Sequence, residues 1–264
     1  MRKKKIDPAL ERYYTEGAER DRLATHQLER DRTLHLLNRF LPQPPATILD
    51  VGGAAGIYAF PLGAKQYAVH LVDPIQAHID QAKAIDTHRL LASCTVDDAR
   101  HLDFPDNYAD VVLLLGPLYH LTLADDRKQA LDEAYRVLKP NGLLFSAAIS
   151  RFASFIDAMN KQVVYQKFSI LEEDLQTGLH YKAKEQFTFG YLHKPEDFRK
   201  ELANSRFHSI QLLAIEGPVW KNEIVEALYQ DKGQWEKLIS LIDLFESEPS
   251  VLGASAHILG VARK

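Results

Sequence analysis

Five short, almost continuous apolar runs in the middle of the chain constrain its fold more than any other feature. They are separated by segments whose apolar residues recur at helical spacing, and they span residues 47–51, 68–72, 92–96, 109–115 and 142–149. Apolar runs without polar alternation are typical of strands buried on both faces, as in a parallel sheet covered by helices. The sequence therefore predicts an α/β fold with a doubly wound, mostly parallel sheet.

Length and charge narrow the class of protein. With 264 residues, 46% of them hydrophobic, the chain can form one large α/β domain with a sizeable core. A formal net charge of −4 gives no reason to expect nucleic acid or an anionic membrane as a partner. No apolar run approaches the roughly 20 residues that span a bilayer, so we expect a cytoplasmic protein.

The cysteine and the histidines of the chain argue against a fold stabilised by disulfides or by a structural metal. Cys94 is a single cysteine, and no cluster of cysteine and histidine has the spacing of zinc ligands. The sequence therefore predicts neither an internal disulfide nor a structural metal.

Capping residues indicate where helices begin and end. Asp73 and Pro74 suit the cap and first position of the helix that follows them, and Thr122 with Asp125 resembles a capping box. Pro61 lies inside the first predicted helix of the core, which should therefore kink or end early.

The pattern divides the chain into four parts. We expect an N-terminal helical lid over 1–44, a ligand-binding core over 45–150, a helical or mixed insertion over 151–206, and the end of the core sheet with an inserted helix over 207–264. The insertion is aromatic-rich, which fits either an apolar acceptor pocket or the core of a lid. Its aromatic residues are Phe152, Phe155, Tyr165, Phe168, Phe187 and Phe189.

The strand ends predict the position of a ligand. Open α/β sheets bind ligands outside the carboxyl ends of their strands. This places 50–56, Asp73, Asp98 and 116–120 around one crevice.

The loop after the first strand, "DVGGAAGIY", does not suit a pyrophosphate. A dinucleotide fingerprint needs G-x-G-x-x-G, whereas Gly52 is followed at the corresponding places by Ala54 and Ile57. The P-loop pattern also fails, because no Gly-Lys-Ser/Thr follows.

The same loop resembles motif I of the class I S-adenosylmethionine-dependent methyltransferases, D/E-x-G-x-G-x-G. Asp50, Gly52, Ala54 and Gly56 stand at its four places, with alanine replacing the middle glycine. The resemblance implies a Rossmann-like, seven-stranded fold with S-adenosyl-L-methionine as cofactor. Small residues beside the ligand and an acidic residue facing its cationic end suit this cofactor better than a phosphate.

Further pieces of the resemblance recur in order. Asp73 stands where the family places the carboxylate that holds the ribose hydroxyls, and it equally suits a helix cap. "RVLKPNGLLF", residues 136–145, is similar to the family's segment leading into the fifth strand. The good match covers residues 45–150. It implies cofactor contacts from Asp50, Gly52, Gly53, Ala54, Gly56, Asp73, Pro74, Asp98, Ala99, Leu115 and Gly116, and from Tyr14 and Arg22 of the lid segment.

Residues near the end of the fourth strand lie beside the transferring methyl group in this fold, which singles out "GPLYH". His120 is the candidate general base and Tyr119 a candidate for shaping the pocket, and each can equally be structural. Gly116 stands where nucleobase amine methyltransferases place an Asn or Asp, which argues against that reaction. Tyr191, His193 and His257 are additional residues that could face the acceptor.

The sequence thus predicts a methyltransferase acting on an oxygen or nitrogen of a small-molecule acceptor. Two alternatives stay open: an NAD-dependent oxidoreductase and a non-catalytic S-adenosylmethionine-binding protein. Methylation of a protein side chain is a further variant of the enzymatic hypothesis.

Overall fold

The structure is a computed structural model that describes residues 26–181, 189–219 and 223–264. Strands and helices alternate through most of this part of the chain. The strands are β1 Thr47–Val51, β2 Ala68–Asp73, β3 Ser93–Val96, β4 Ala109–Leu114, β5 Leu138–Ser150, β6 Leu179–Tyr181, β7 Phe189–His193, β8 His208–Ala214 and β9 His257–Arg263. The α-helices are α1 Gln27–Phe40, α2 Ala59–Gly63, α3 Gln76–Ile85, α4 Pro117–His120, α5 Ala124–Val137, α6 Ala153–Asn160, α7 Phe168–Thr177, α8 Pro195–Asn204, α9 Glu223–Tyr229, α10 Lys232–Asp243 and α11 Pro249–Leu252.

A mostly parallel sheet forms the centre, as predicted. Strands β3, β2, β1, β4 and β5 lie side by side in that order and are all parallel. β9 lies between β5 and β8 and pairs antiparallel with both, so this last strand runs opposite to its two neighbours. The α/β fold class is confirmed.

The predicted strand number of seven is wrong, because the described part of the sheet has nine. The two additional strands, β6 and β7, form a hairpin from the 151–206 segment. The last residue pair between β4 and β5 is Leu114 with Ser146. β5 continues beyond this pair, and its residues Ile149 and Ser150 pair in parallel with β7. The insertion thus extends the sheet at the edge where the acceptor was expected, instead of being only helical.

Helices cover both faces of the sheet and enclose two apolar cores. One core joins α5 and α8 to the sheet through residues such as Leu131 and Phe198, and both of these are fully buried. The other joins α1, α2 and α3 through Leu36, Leu62 and Ile79. Burial on both faces explains why the parallel strands are almost continuously apolar.

Several helix starts differ from the prediction. α3 begins at Gln76 with Ile75 as its N-cap. Asp73 accepts from the amide of Ile75 and contacts His78, but it does not cap an amide of the first turn. α5 is preceded by Leu123 without a side-chain cap, so the capping box with Thr122 does not form. α2, which contains a proline, is only five residues long, as expected.

The C-terminal segment forms two helices, α9 and α10, where the sequence indicated one long helical stretch. α10 is capped by Asp231, whose side chain accepts a hydrogen bond from the amide of Gln234 at 3.0 Å. It is joined to α1 by the fully buried Arg32, whose guanidinium contacts Asp243 at 2.6 Å and Glu246 at 2.5 Å. This ion-pair network attaches the C-terminal helices to the N-terminal face of the domain.

Four aromatic residues of the insertion are exposed and therefore do not form a lid core: Phe152, Phe155, Tyr165 and Phe168. The helices α6 and α7 bury other residues instead, namely Ala153, Ala158, Leu171 and Asp174. Phe187 lies outside the described residues. No helix in the described part of the chain is long and apolar enough to cross a membrane.

Candidate functional site

The loop after β1 folds against the ends of β2 and β4. The amide of Gly52 donates to Val72 O at 2.7 Å, and the amide of Ala54 donates to Asp73 Oδ2 at 2.9 Å. Gly52, Ala54 and Gly56 all have positive φ, at +71°, +49° and +91°. The alanine at the middle place thus adopts a left-handed conformation that glycine would adopt with less strain.

Two glycines of this loop are required by close approach. A Cβ on Gly52 would lie 2.7 Å from Pro117 Cγ, and one on Gly53 would lie 2.5 Å from Asp50 Oδ2. A Cβ on Gly116 would lie 3.4 Å from Gly52 O. The backbone after β1 and the backbone after β4 therefore meet directly, so the two strand ends lie side by side as the sequence predicts.

Asp50 is the most unusual group in this crevice. It is 1% exposed, and neither carboxylate oxygen has a hydrogen-bond partner in the described part of the chain. Burial, and secondarily the charge of Asp73, raises the pKa of Asp50 from 3.8 to about 7, and the nearby backbone amide of Ala59 opposes this rise without forming a hydrogen bond of normal geometry. A buried carboxylate without a donor is costly unless a cation or donor reaches it.

Asp73 is held by three donors at the end of β2. Its Oδ2 accepts from Ala54, while its Oδ1 accepts from the amide of Ile75 at 2.9 Å and lies 3.0 Å from His78 Nδ1. The carboxylate is therefore fixed toward the loop after β1. Pro74, the other predicted contact at this strand end, is partly buried.

The end of β3 joins the same edge, since the amide of Asp97 donates to Asp73 O at 3.3 Å. Asp98 forms an ion pair with Arg100 at 2.6 Å, and Arg100 also contacts Asp126 at 2.8 Å. Ala99 beside it is buried. The carboxylate of Asp98 is thus engaged within the protein, and the neighbouring backbone is the part that remains to meet a ligand.

α4 carries the two predicted catalytic residues. Gly116 is its N-cap and Pro117 its first residue, and the partly buried Leu115 precedes them. The rings of Tyr119 and His120 lie 4.7 Å apart, with Tyr119 buried and His120 partly buried. This helix packs against β5 and β7, so the insertion hairpin lies beside the candidate base.

A charged cluster connects β7, α8 and the end of α4. Arg127 donates to both carboxylate oxygens of Glu201 and, through Nη1, to Leu121 O at 3.0 Å and Thr122 O at 2.9 Å. Its guanidinium carbon lies 3.7 Å from the ring centroid of Tyr191. Arg127 therefore holds the two carbonyls that directly follow the candidate base.

His193 completes this cluster from the end of β7. It is fully buried, and its Nε2 lies 3.1 Å from Glu201 Oε2. Burial lowers the pKa of His193, although the contact with Glu201 opposes this effect. Burial alone would raise the pKa of Glu201, but its hydrogen bonds with His193 and Arg127 prevail and hold it at about 2.

These protonation states define the tautomer of the imidazole. An ionised carboxylate only accepts hydrogen bonds, so Nε2 carries the proton that it donates to Glu201. Nδ1 is then the nitrogen with the lone pair. It is buried and has no hydrogen-bond partner among the residues that the structure describes.

Sequence reasoning singled out Tyr191 and His193 but missed Arg127, Arg151 and Glu201. Arg151 follows β5 and donates to Leu192 O at 2.7 Å and to carbonyls at the end of α7. These charged residues bond partners that are far away in sequence, so no local sequence pattern indicates their contacts. Tyr14 and Arg22, the predicted cofactor contacts of the lid segment, lie outside the described residues.

Comparison with known proteins identifies the core. Residues 49–146 match the family model of a methyltransferase domain. The chain carries a class I S-adenosylmethionine-dependent methyltransferase domain. The predicted family and its cofactor, S-adenosylmethionine, are thereby confirmed. The matched residues include the carboxyl ends of β1, β2, β3 and β4, which border the crevice, whereas β5 continues past them to Ser150.

The curated relatives of the methyltransferase domain are named C-methyltransferases. The chain is 30% identical over 161 residues to the ubiquinone/menaquinone biosynthesis C-methyltransferase UbiE of Caulobacter vibrioides, covering 53% of this chain and 60% of that protein. The chain thus spans about three fifths of the length of the curated relatives that it matches.

Solved structures share the fold of the methyltransferase domain. One is a SAM-dependent methyltransferase of Methanosarcina mazei, with a TM-score of 0.60 and 16% identity over 87% of this chain and 96% of that one. Another is phosphoethanolamine N-methyltransferase 2 of Haemonchus contortus in complex with S-adenosyl-L-methionine, with a TM-score of 0.56 and 19% identity over 89% of this chain and 52% of that one.

Proposed function

We propose that the protein transfers a methyl group from S-adenosylmethionine to an oxygen or nitrogen of a small-molecule acceptor. The observation that carries the proposal is the buried carboxylate of Asp50, which lies without a donor beside a loop that only small residues can form. The cationic methionine end of S-adenosylmethionine would supply the charge that this carboxylate needs. A nicotinamide dinucleotide would instead bring a pyrophosphate to an acidic loop, which disfavours the oxidoreductase alternative.

The proposed cofactor contacts follow the strand ends. Asp50 and loop 52–56 would hold the amino-acid end, Asp73 the ribose, and the backbone at Asp98 and Ala99 the adenine. Asp73 Oδ2 accepts one hydrogen bond from the protein, so it keeps the capacity to accept from a hydroxyl. S-adenosylmethionine supplies a methyl group that is already activated by its sulfonium.

The protein's own contribution to the reaction is positioning and proton removal. Tyr119 and His120 lie on α4, directly after the strand end that borders the cofactor loop. An imidazole can take a proton from a hydroxyl or ammonium near neutral pH, and correct placement of the acceptor accounts for the rest of the rate. We propose His120 as the general base and Tyr119 as a wall of the acceptor pocket.

Methylation at carbon is the second candidate, because the curated relatives are named C-methyltransferases. A carbon next to a phenolic hydroxyl becomes nucleophilic when that hydroxyl loses its proton. The same base would therefore serve either reaction, and only the regiochemistry of the product distinguishes them.

The test is product analysis by mass spectrometry and NMR with S-adenosylmethionine and a panel of small phenols, hydroquinones and amines. We expect one methyl group per acceptor and formation of S-adenosylhomocysteine. His120→Ala should lower kcat by about 10²–10⁴ and leave cofactor affinity unchanged. His88→Ala, at an exposed histidine outside the crevice, is the matched control.

Two results would contradict parts of this proposal. Tight cofactor binding without turnover on any acceptor class would favour the non-catalytic alternative. Turnover that survives His120→Ala at saturating substrate would remove His120 as the base while leaving the methyltransferase assignment intact.

A further inference from the structure

Three ionisable side chains from distant parts of the chain meet at the carboxyl edge of the sheet. Glu29 lies in the first turn of α1, Glu216 lies just after β8, and His257 is the first residue of β9. Glu29 and Glu216 are each 7% exposed.

Glu216 holds the imidazole of His257 in one orientation. Its Oε1 lies 2.6 Å from His257 Nδ1, and its Oε2 accepts from Ser255 Oγ and from the amide of His257, both at 3.0 Å. The ionised carboxylate therefore places a proton on Nδ1 and directs Nε2 to the other side of the ring. A carboxylate that binds the second nitrogen of a metal-ligating histidine in this way is a recurrent feature of metal sites.

On that other side lies Glu29. Its Oε1 is 3.8 Å from His257 Nε2, which is too long for a hydrogen bond. Two ligand atoms that each lie about 2.0–2.2 Å from one ion are separated by about 3–4 Å. Each of the three residues offers a ligand-type atom, and these atoms all lie within 4.8 Å of one another.

We propose that Glu29, Glu216 and His257 form a binding site for a divalent transition-metal ion. His257 Nε2 and the Glu29 carboxylate coordinate the ion, and Glu216 orients the imidazole from behind. A mixed set of imidazole and carboxylate ligands suits Zn²⁺ or Mn²⁺ better than Ca²⁺ or Mg²⁺. The ion would join α1 to the β8–β9 pair, and this role does not depend on the proposed methyl transfer.

The sequence could not reveal this site, because its residues come from three segments without a common spacing. No cluster of cysteine and histidine in the sequence has the spacing of zinc ligands, but such spacing reveals only ligands that are close in sequence. Here the sheet brings the start of one reversed strand next to the end of its neighbour, and α1 adds the third group.

The experiment uses the full chain, freed of metal with a chelator and then titrated with Zn²⁺ alone and Mn²⁺ alone. Calorimetry should show one saturable site per chain, and the thermal unfolding midpoint should rise with metal concentration. Glu29→Gln and His257→Gln should each weaken binding at least about tenfold and abolish the rise.

His35→Gln is the matched control, because His35 lies on the same helix and its Nε2 is 2.9 Å from the carboxylate of Asp243. It should leave metal binding unchanged. The proposal is overturned if wild type shows no saturable site for either ion, or if Glu29→Gln and His257→Gln bind as wild type does. If one variant does not fold, the wild-type titration and the other variant still decide the question.

Discussion

The backbone amide of Ala54 donates a hydrogen bond to Asp73 Oδ2 at 2.9 Å, which ties the loop after β1 to the end of β2. The other oxygen of Asp73 is held by the amide of Ile75 and by His78. Three donors of the protein itself therefore orient this carboxylate. Such preorganisation lowers the cost of positioning a bound ligand.

The loop glycines differ in what a side chain would cost. Gly52→Ala puts a Cβ 2.7 Å from Pro117 at a positive φ, so we expect a loss of about 1–3 kcal/mol in the free energy of unfolding. Ala54→Gly relieves a left-handed alanine, and we expect a gain of up to about 1 kcal/mol, offset partly by backbone entropy. Urea denaturation of both variants measures these differences. A destabilised Ala54→Gly variant would show that the alanine side chain makes a contact that outweighs its strain.

The buried carboxylate of Asp50 should destabilise the protein without cofactor. Asp50→Asn should therefore raise the free energy of unfolding at pH 8 by about 1–4 kcal/mol, since a pKa shift from 3.8 to about 7 sets the upper end of that range. The same variant should bind S-adenosylmethionine more weakly, because it lacks the charge. Urea denaturation and calorimetry on one preparation test the two effects together.

The pKa of Asp50 also predicts a pH dependence. The folded protein keeps the proton up to about pH 7, whereas the unfolded chain releases it near pH 4, so wild-type stability should fall as the pH rises between these values. Asp50→Asn should lack this decline. Cofactor affinity should rise with pH until about 7, since a cationic ligand binds the ionised form. Affinity that is independent of pH between 5 and 8 would argue against contact between this carboxylate and the cofactor.

Strand ends are the part of the site that the sequence predicts best. Asp50, Asp73 and Gly116 each end an apolar run, and parallel strands bring their carboxyl ends to one edge whatever the details of packing. The contacts of Asp73 with its neighbours were harder to predict from the sequence, because the helix after it begins at Gln76, two residues later than Pro74 suggested. The carboxylate of Asp73 bonds the amides of Ala54 and Ile75 instead of an amide in the first turn of the helix.

Pairings across long sequence separations were not predictable. Arg127 and Glu201 are 74 positions apart, and the hairpin that brings His193 beside them adds strands to the sheet. The aromatic residues of the insertion suggested a packed lid, yet Phe155 and Phe168 are exposed, because composition does not say which helix face is covered. The cluster of Glu29, Glu216 and His257 was not predicted either, because its residues come from segments that are far apart in sequence.

The ion pair of Glu201 with Arg127 should support the end of α4. Glu201→Gln removes the charge that both Arg127 and His193 contact, so we expect the free energy of unfolding to fall by about 1–3 kcal/mol. We also expect a lower kcat, because His120 would be displaced. Glu196→Gln, at an exposed position on the same helix, is the control. Unchanged stability in Glu201→Gln would show that the pair only offsets its own desolvation.

Acid titration gives a separate readout of this pair. The pKa of Glu201 is held at about 2 in the folded protein, below its ordinary value of 4.5. Its contribution to the free energy of unfolding should therefore be complete above about pH 4.5 and be lost as the pH falls toward 2. Across that range, the stability of wild type should fall more steeply than that of Glu201→Gln. Parallel curves would contradict the assignment.

We expect the crevice around Asp50 and Asp73 to bind S-adenosylmethionine. Calorimetry with S-adenosylmethionine, S-adenosylhomocysteine and NADH on wild type, Asp73→Asn and the exposed control Asp80→Asn tests it most directly. We predict micromolar binding of the first two ligands by wild type and by the control, a loss of about 10–100-fold in Asp73→Asn, and no response to NADH. Binding of NADH alone, or equal binding by Asp73→Asn and wild type, would contradict the account.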